Sequence, residues 1–204
     1  LDAILRVSMR AELKHLHEEL KTTTVYVTHD QIEAMTMATR VVVMKDGEVS
    51  QIGTPEEIYG NPDNLFVATF IGSPPMNCLP GRLTDGTFSC DNGLIEGFAF
   101  QAAGSVILGV RPDNVSLTEG SDADLRGTVF AVEFTGSGLL VVVEVGDQMV
   151  TLFGDPAQRP RMNDNVGLKI DRTGVFFFDA DTGRRLHLEP NVESRAPLRQ
   201  APGV

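Results

Sequence analysis

The chain has 204 residues, of which 42% are hydrophobic and 22% charged, a balance typical of a globular protein that excludes a disordered chain. The formal net charge of -11 and the sequence pI of about 4.7 imply a surface that repels phosphate backbones, which disfavours nonspecific nucleic-acid binding. The two cysteines, Cys78 and Cys90, fit neither a zinc site nor a disulfide framework and indicate a reducing compartment. No apolar run reaches the roughly 20 residues of a membrane span, and no secretory leader is expected.

Residues 2–20 predict an amphipathic helix, with charged residues over much of the face opposite its apolar stripe. The stripe recurs at helical spacing at Leu5, Met9, Leu13, Leu16 and Leu20. Asp2 suits the N-cap or the first turn of this helix. Because the chain opens at Leu1, without methionine and already inside a helical pattern, we expect it to be cut from something longer.

A buried strand is predicted over residues 23–28, followed at once by a helix near 31–39. His29 therefore stands where a strand gives way to a helix, the edge of a sheet at which α/β proteins usually place their chemistry. A lone histidine at such a position is more often a hydrogen-bonded turn residue than a catalytic one, so its position alone leaves both readings open. Asp30 is expected to cap the helix.

Gln31 and Glu33 are most simply first-turn residues that favour the dipole of this helix. A hairpin follows, with strands over 41–44 and 48–52 around a tight turn at Lys45-Asp46-Gly47. Its second strand leads into two short helices.

The spacing of Thr54-Pro55-Glu56-Glu57 is that of a capping box and predicts the start of the first of these two helices. This helix is expected to end near Tyr59. The second is expected to open near Asn61-Pro62 and to run through Ile71.

The chain changes character at Gly72-Ser73-Pro74-Pro75, after which short β-type runs alternate with glycines and Asp/Asn turns. Strands are predicted over 78–84, 87–90, 94–100, 106–111, 114–117, 125–135, 138–145, 148–153, 166–170 and 175–178. Many short strands at this spacing indicate a barrel or a sandwich. The sequence thus predicts an α+β protein with an α/β part over 1–72, an all-β part over 73–190 and a loose tail over 191–204.

The stretch TTVYVTHDQIEAMTMATRVVVMKDGEVSQIGTPEEIYGNPDNLFVATFIGSPPMN resembles the ATPase subunits of ABC importers, most closely the branch that serves sugars and glycerol-phosphate, the maltose-importer type. GVRPDNV, GTVFAVEFTGSG and FFFDADTGRRL resemble the C-terminal regulatory region of that family. The resemblance implies a partial nucleotide-binding domain followed by an OB-like barrel region of the TOBE or MOP type.

The same resemblance assigns roles to two residues. The histidine of the Thr-His-Asp motif is the family's switch residue, which contacts the γ-phosphate of ATP, and here it is His29. Leu1-Asp2 resembles the end of the D-loop, which places Asp2 at the interface between two ATP sites. The cofactors implied are ATP and Mg in an intact parent and none in the chain itself. No metal ligand is assigned, because His15, His17 and His187 lack suitable companions.

Three motifs of the family have no counterpart in these residues. There is no G-x-x-x-x-G-K-[ST] loop, no LSGGQ-like stretch and no aliphatic run ending in Asp-Glu. All three lie upstream of the D-loop in the family, so we expect a C-terminal part that does not hydrolyse ATP alone. The implied partners are a second copy of the chain bound through barrel faces, membrane permease subunits and a regulatory protein on the β part. The implied location is the cytoplasmic face of the plasma membrane.

One alternative is a stand-alone OB-type domain that binds an oligosaccharide, an oxyanion or single-stranded nucleic acid. The net charge of -11, the absence of tryptophan and the presence of only two tyrosines disfavour nucleic-acid stacking. Related oxyanion-binding barrels carry Ser-Ala-Arg-Asn where this chain has Ser-Pro-Pro-Met-Asn over 73–77, and the missing arginine disfavours molybdate-type binding. Arg111 is expected to serve structure, and Arg184-Arg185 to be an exposed basic pair.

Overall fold

The computed structural model describes residues 2–98, 104–136 and 138–187. Its helices are α1 Asp2–Leu20, α2 Gln31–Met37, α3 Pro55–Gly60 and α4 Leu65–Phe70. Its strands are β1 Val41–Lys45, β2 Glu48–Gly53, β3 Asn77–Thr84, β4 Thr87–Cys90, β5 Gly93–Ile95, β6 Gly104–Val110, β7 Val115–Thr118, β8 Leu125–Phe134, β9 Leu139–Val145, β10 Gln148–Gly154, β11 Asn165–Ile170 and β12 Val175–Asp179. We call residues 2–72 the front region and 73–187 the β-region.

The predicted α1 is confirmed, and the apolar stripe from Leu5 to Leu20 lies exposed. The strand predicted over 23–28 is wrong, because these residues form no ladder with any strand in the described part of the chain. Val25 and Val27 are 87% and 90% exposed. A strand forms when a neighbouring strand takes up its backbone donors and acceptors, and alternating apolar residues alone cannot supply one.

The front region is organised around the β1–β2 hairpin, which pairs antiparallel about a turn with positive φ at Asp46 and Gly47. The capping box at Thr54 is confirmed: its hydroxyl accepts from the Glu57 N–H at 3.2 Å, and the Glu57 carboxylate accepts from the Thr54 N–H at 2.8 Å. The buried core of this region comprises Val41, Val43, Ile58, Val67 and Ile71.

The helix expected to open near Asn61-Pro62 begins instead at Leu65. Asn64 is its N-cap, and its side-chain oxygen accepts from the Val67 N–H at 3.0 Å. An N-cap is fixed by the residue that reaches the free N–H groups of the first turn, and here that residue is Asn64.

The β-region is a ten-stranded antiparallel sheet with the strand order β10-β9-β8-β5-β4-β3-β6-β12, in which β11 pairs with β7 and β8. The amide of Asn77, on β3, donates to the Thr151 carbonyl of β10 at 2.8 Å and accepts from the Thr151 N–H at 2.7 Å. The sheet therefore curls until strands far apart in its order meet. This mostly-β arrangement is the OB-like architecture that the sequence predicts.

The interior of the curled sheet is apolar and continuous. Its largest fully buried side chains include Phe88, Leu79, Leu83, Ile95, Leu108, Leu125, Leu152 and Leu168. Of the strand predicted over 94–100, the structure contains β5, which ends at Ile95, and residues 99–103 lie outside the described part. The tail predicted over 191–204 also lies outside it. Among the helices described, none combines the length and hydropathy of a membrane span.

Candidate functional site

His29 lies exposed on a bend between an extended segment and the start of α2. The bend is held by Thr28, whose hydroxyl accepts from the Asp30 N–H at 2.9 Å and donates to a Glu33 carboxylate oxygen at 2.6 Å. Asp30 is the N-cap of α2, as predicted, and its carboxylate accepts from the Ile32 N–H at 2.8 Å. The imidazole of His29 is thus presented to solvent by a turn whose neighbours on both sides are fixed.

Glu33 is buried and joins the residues before His29 to the helix after it. Besides Thr28 it accepts a hydrogen bond from the Tyr26 hydroxyl at 3.2 Å, and this contact raises the pKa of Tyr26 above 10.0. The prediction of a simple first-turn acid is therefore incomplete. The alternation of Tyr26 and Thr28, both with a hydroxyl and both within reach of the first turn of α2, was the available signal.

Gln31, the first residue of α2, reaches the end of α4 rather than solvent. Its side-chain N–H donates to the Phe70 carbonyl, and its side-chain oxygen accepts from the Gly72 N–H at 2.9 Å. Sequence reasoning, which treated Gln31 as a first-turn residue, missed this contact because it spans 41 positions along the chain.

Arg111 enters the same place from the β-region. Its side chain is buried, donates to the Ile71 carbonyl at 2.8 Å and the Tyr59 carbonyl at 2.6 Å, and lies 3.6 Å from the centre of the Tyr59 ring. Burial lowers its pKa below the usual value of an arginine. The prediction that Arg111 serves structure is confirmed, because its donors hold two carbonyls of the front region.

Arg185 corrects a second expectation. It is half-buried rather than exposed, lies 4.8 Å from the centre of the Phe176 ring and donates to the Asn61 side-chain oxygen. Burial also lowers the pKa of Arg185 below the usual value of an arginine. With the Leu65 N–H donating to the Gly183 carbonyl at 2.8 Å, this is a second contact between the front region and the β-region.

The remaining site predictions concern Asp2 and metal binding. Asp2 is the first residue of α1, but its side chain lies outside the described part, so its placement at a dimer interface stays a prediction. Within residues 2–98, 104–136 and 138–187, no group of three His, Cys, Asp or Glu is placed to hold a metal ion.

Sequence comparison finds relatives that match most of this chain. Residues 108–178 match the TOBE domain family. Over 201 residues the chain is 39% identical to the sulfoquinovosyl glycerol transport ATP-binding protein SmoE of Agrobacterium fabrum, covering 92% of this chain and 54% of that protein. It is 42% identical over 192 residues to the sn-glycerol-3-phosphate import ATP-binding protein UgpC of Escherichia coli strain K12, covering 91% and 54%. The chain matches the C-terminal part of the family of ABC importer ATP-binding subunits.

Within this family the chain matches the C-terminal part, which carries the TOBE domain. It spans about half the length of the curated relatives that it matches. Among solved structures, the cytoplasmic molybdate-binding protein ModG matches 50% of this chain with a TM-score of 0.42 and 13% identity. The similarity to these import ATP-binding proteins covers 91–92% of this chain and so extends over the front region, which the alternative of a stand-alone OB-type binding domain leaves unexplained.

Proposed function

We propose that the chain acts as the C-terminal part of the ATP-hydrolysing subunit of an importer for sugars or related solutes, and that His29 is its switch histidine. The observation that supports this role is the exposed imidazole on a bend fixed by Thr28, Asp30 and Glu33. Residues 1–72 would then belong to the ATPase domain and 73–190 to a regulatory β domain. The relatives named as import ATP-binding proteins support the same assignment.

In this proposal the chain supplies one hydrogen-bond donor to the reaction. An imidazole N–H of His29 would contact the γ-phosphate of ATP, where a fixed donor stabilises developing charge. The phosphate-binding loop, the Mg²⁺ site and the signature motif would come from other residues of the intact subunit, because the 204 residues contain no Walker A pattern. Asp2 would lie toward the second ATP site of a dimer.

The test replaces His29 by alanine in the intact subunit assembled with its permease. ATP turnover is expected to fall by roughly 10²-fold, because a donor aimed at the transferred phosphate is lost. Equilibrium binding of ATP and the thermal unfolding temperature should stay unchanged, since His29 is exposed. The matched control is His17→Ala on the exposed face of α1. Turnover that stays within about twofold of wild type would contradict the assignment.

We also propose that two copies of the chain associate through the β-region. Along β9 and β10 the buried residues alternate with outward-facing ones, so Leu140, Val142 and Phe153 share the outer face, with Leu140 opposite Phe153 in the register. Phe153 is 51% exposed, and β10 stands at one end of the strand order. An apolar outer face beside a terminal strand suits a self-complementary contact.

Light scattering on the 204-residue chain checks this contact. The wild type is expected to give the mass of two chains, and Phe153→Glu the mass of one, because a carboxylate in an apolar contact is strongly disfavoured. Met162→Glu is the matched control, since Met162 is 65% exposed and belongs to neither strand, standing in the segment between β10 and β11. A wild-type mass of one chain at high concentration contradicts the proposal.

We propose the permease and regulatory partners from the similarity to import ATP-binding proteins. We assign the subunit to the cytoplasmic face of the plasma membrane, held there by permease subunits, with the β domain available to a regulatory protein. The TOBE match over residues 108–178 supports a regulatory role for the β domain.

A further inference from the structure

Three successive residues at the end of the front region are held from two sides. Gln31 takes up the Phe70 carbonyl and the Gly72 N–H, and Arg111 takes up the Ile71 carbonyl between them. We call residues 70–72 the joint. Gln31 lies two residues after His29, and Arg111 directly follows β6 of the β-region. The joint is therefore the place where the turn of His29 and the β-region contact the same backbone.

The grip of Arg111 on the joint is rigid. Its planar guanidinium lies on the Tyr59 ring and donates to two carbonyls, so it cannot rotate without breaking a buried hydrogen bond. Gly72 adopts a φ of +122°, and a Cβ there would lie 2.9 Å from an Arg111 guanidinium nitrogen and 3.2 Å from the Pro74 carbonyl oxygen. The backbone of Gly72 thus fits closely between the Arg111 guanidinium and the Pro74 carbonyl.

The grip of Gln31 is equally direct. Both ends of its amide are used, one as donor and one as acceptor, so the side chain resists displacement in either direction. Gln31 is the first residue of α2, whose N-cap is Asp30, and Thr28 links Asp30 to Glu33. Residues 28–33 form one hydrogen-bonded turn, so a shift of the joint that moves Gln31 also moves His29.

We propose that Gln31 is a positioning residue that couples the orientation of the His29 imidazole to the position of the Arg111 side chain of the β-region. The inference rests on the proposed function of His29 and adds a route by which the β domain regulates it. A protein that shifts Arg111 would change the direction of the His29 imidazole through the joint. Because coupling between two sites is reciprocal, a contact made by His29 would change the seating of Arg111 by the same free energy.

The test follows the imidazole resonances of the 204-residue chain by NMR, with the His29 peak assigned by His29→Gln. Four proteins are compared: wild type, Arg111→Lys, Gln31→Leu and the double variant. Arg111→Lys is expected to move the His29 peak while leaving those of His15 and His17 on α1 in place. In the Gln31→Leu background the same change at Arg111 is expected to leave the His29 peak where it is.

One control variant and one substitute variant accompany these four proteins. Arg126→Met removes an exposed arginine of β8 that donates to the Gly120 carbonyl, and it is expected to leave the His29 peak unchanged in both backgrounds. Tyr59→Leu removes the ring beneath the guanidinium and replaces Arg111→Lys if that variant does not fold. A His29 peak unmoved by the Arg111 and Tyr59 changes, or moved equally with and without Gln31, overturns the proposal.

The measurement needs no nucleotide, so it fails independently of the proposed function. A coupled His29 peak together with normal ATP turnover in His29→Ala would overturn the switch role of His29 and leave the coupling by Gln31 intact. An uncoupled peak together with a large loss of turnover would do the reverse.

Discussion

Asp124→Asn is expected to lower the free energy of unfolding by about 3–5 kcal/mol, the usual cost of removing one partner of a buried ion pair. The Asp124 side chain is only 7% exposed. Its carboxylate accepts hydrogen bonds from the Ile170 N–H at 2.8 Å and from two guanidinium nitrogens of Arg172. Arg172 also donates to the Glu96 carbonyl at 3.1 Å. One carboxylate therefore fixes the end of β11 against the residues that follow β5.

Urea unfolding of the 204-residue chain measures this loss, with Asp122→Asn as the matched control. Asp122 forms an ion pair with Lys169 at 2.9 Å, but its side chain is 81% exposed, so its removal is expected to cost less than about 1 kcal/mol. Equal losses in the two variants would show that burial of Asp124 contributes nothing.

The same pair gives stability a dependence on pH. Burial raises the pKa of Asp124, but hydrogen bonds from Arg172 and Ile170 and the charges of Arg172 and Lys169 outweigh it, so the pKa lies below 3.8. The stabilisation is complete above the unfolded value of 3.8 and is lost as the pH falls through the folded value. Wild type is thus expected to lose more stability in acid than Asp124→Asn. Parallel pH profiles of the two proteins would contradict this.

Arg111→Met is expected to lower the free energy of unfolding by about 2–4 kcal/mol, because the carbonyls of Ile71 and Tyr59 lose charged donors. Arg111→Lys keeps the charge but reaches one carbonyl at a time, and its loss should be about half as large. The loss is moderated because the Arg111 Nε is itself buried without a hydrogen-bond partner.

Thermal or urea unfolding of these variants checks the second expectation, with Arg126→Met as the control for a surface arginine. That control should stay within about 0.5 kcal/mol of wild type. A loss of the same size in Arg111→Met and Arg126→Met would mean that the front region and the β-region are held together elsewhere, as by Arg185, which donates to the Asn61 side-chain oxygen.

Local signals predicted the parts of the fold whose causes are local. The four-residue pattern from Thr54 to Glu57 contains both partners of the capping box, and the alternation along β9 separates inner from outer residues within one strand. The strand expected over 23–28 failed for the opposite reason, since Val25 and Val27 carry the pattern of a strand but have no neighbouring strand among the described residues.

The contacts that close the sheet and hold the site could not be predicted from the sequence, because each joins distant positions. Asn77 and Thr151 lie 74 positions apart, and Arg111 and Tyr59 lie 52 apart, so no periodicity relates them. Gln31 in particular has the composition of an ordinary first-turn residue. Only the fold shows that its amide faces the backbone of residues 70–72.

The double grip on residues 70–72 has a consequence for protein engineering. A cut just before Ser73 looks like a natural crossover for exchanging β domains between importer subunits, because the sequence changes character there. Yet that cut separates Gln31 from Arg111, which hold the same three residues. A chimaera joined at this point keeps both sets of contacts with residues 70–72 only when the part before the junction has the glutamine and the part after it has the arginine. The two side chains are best transplanted as a pair.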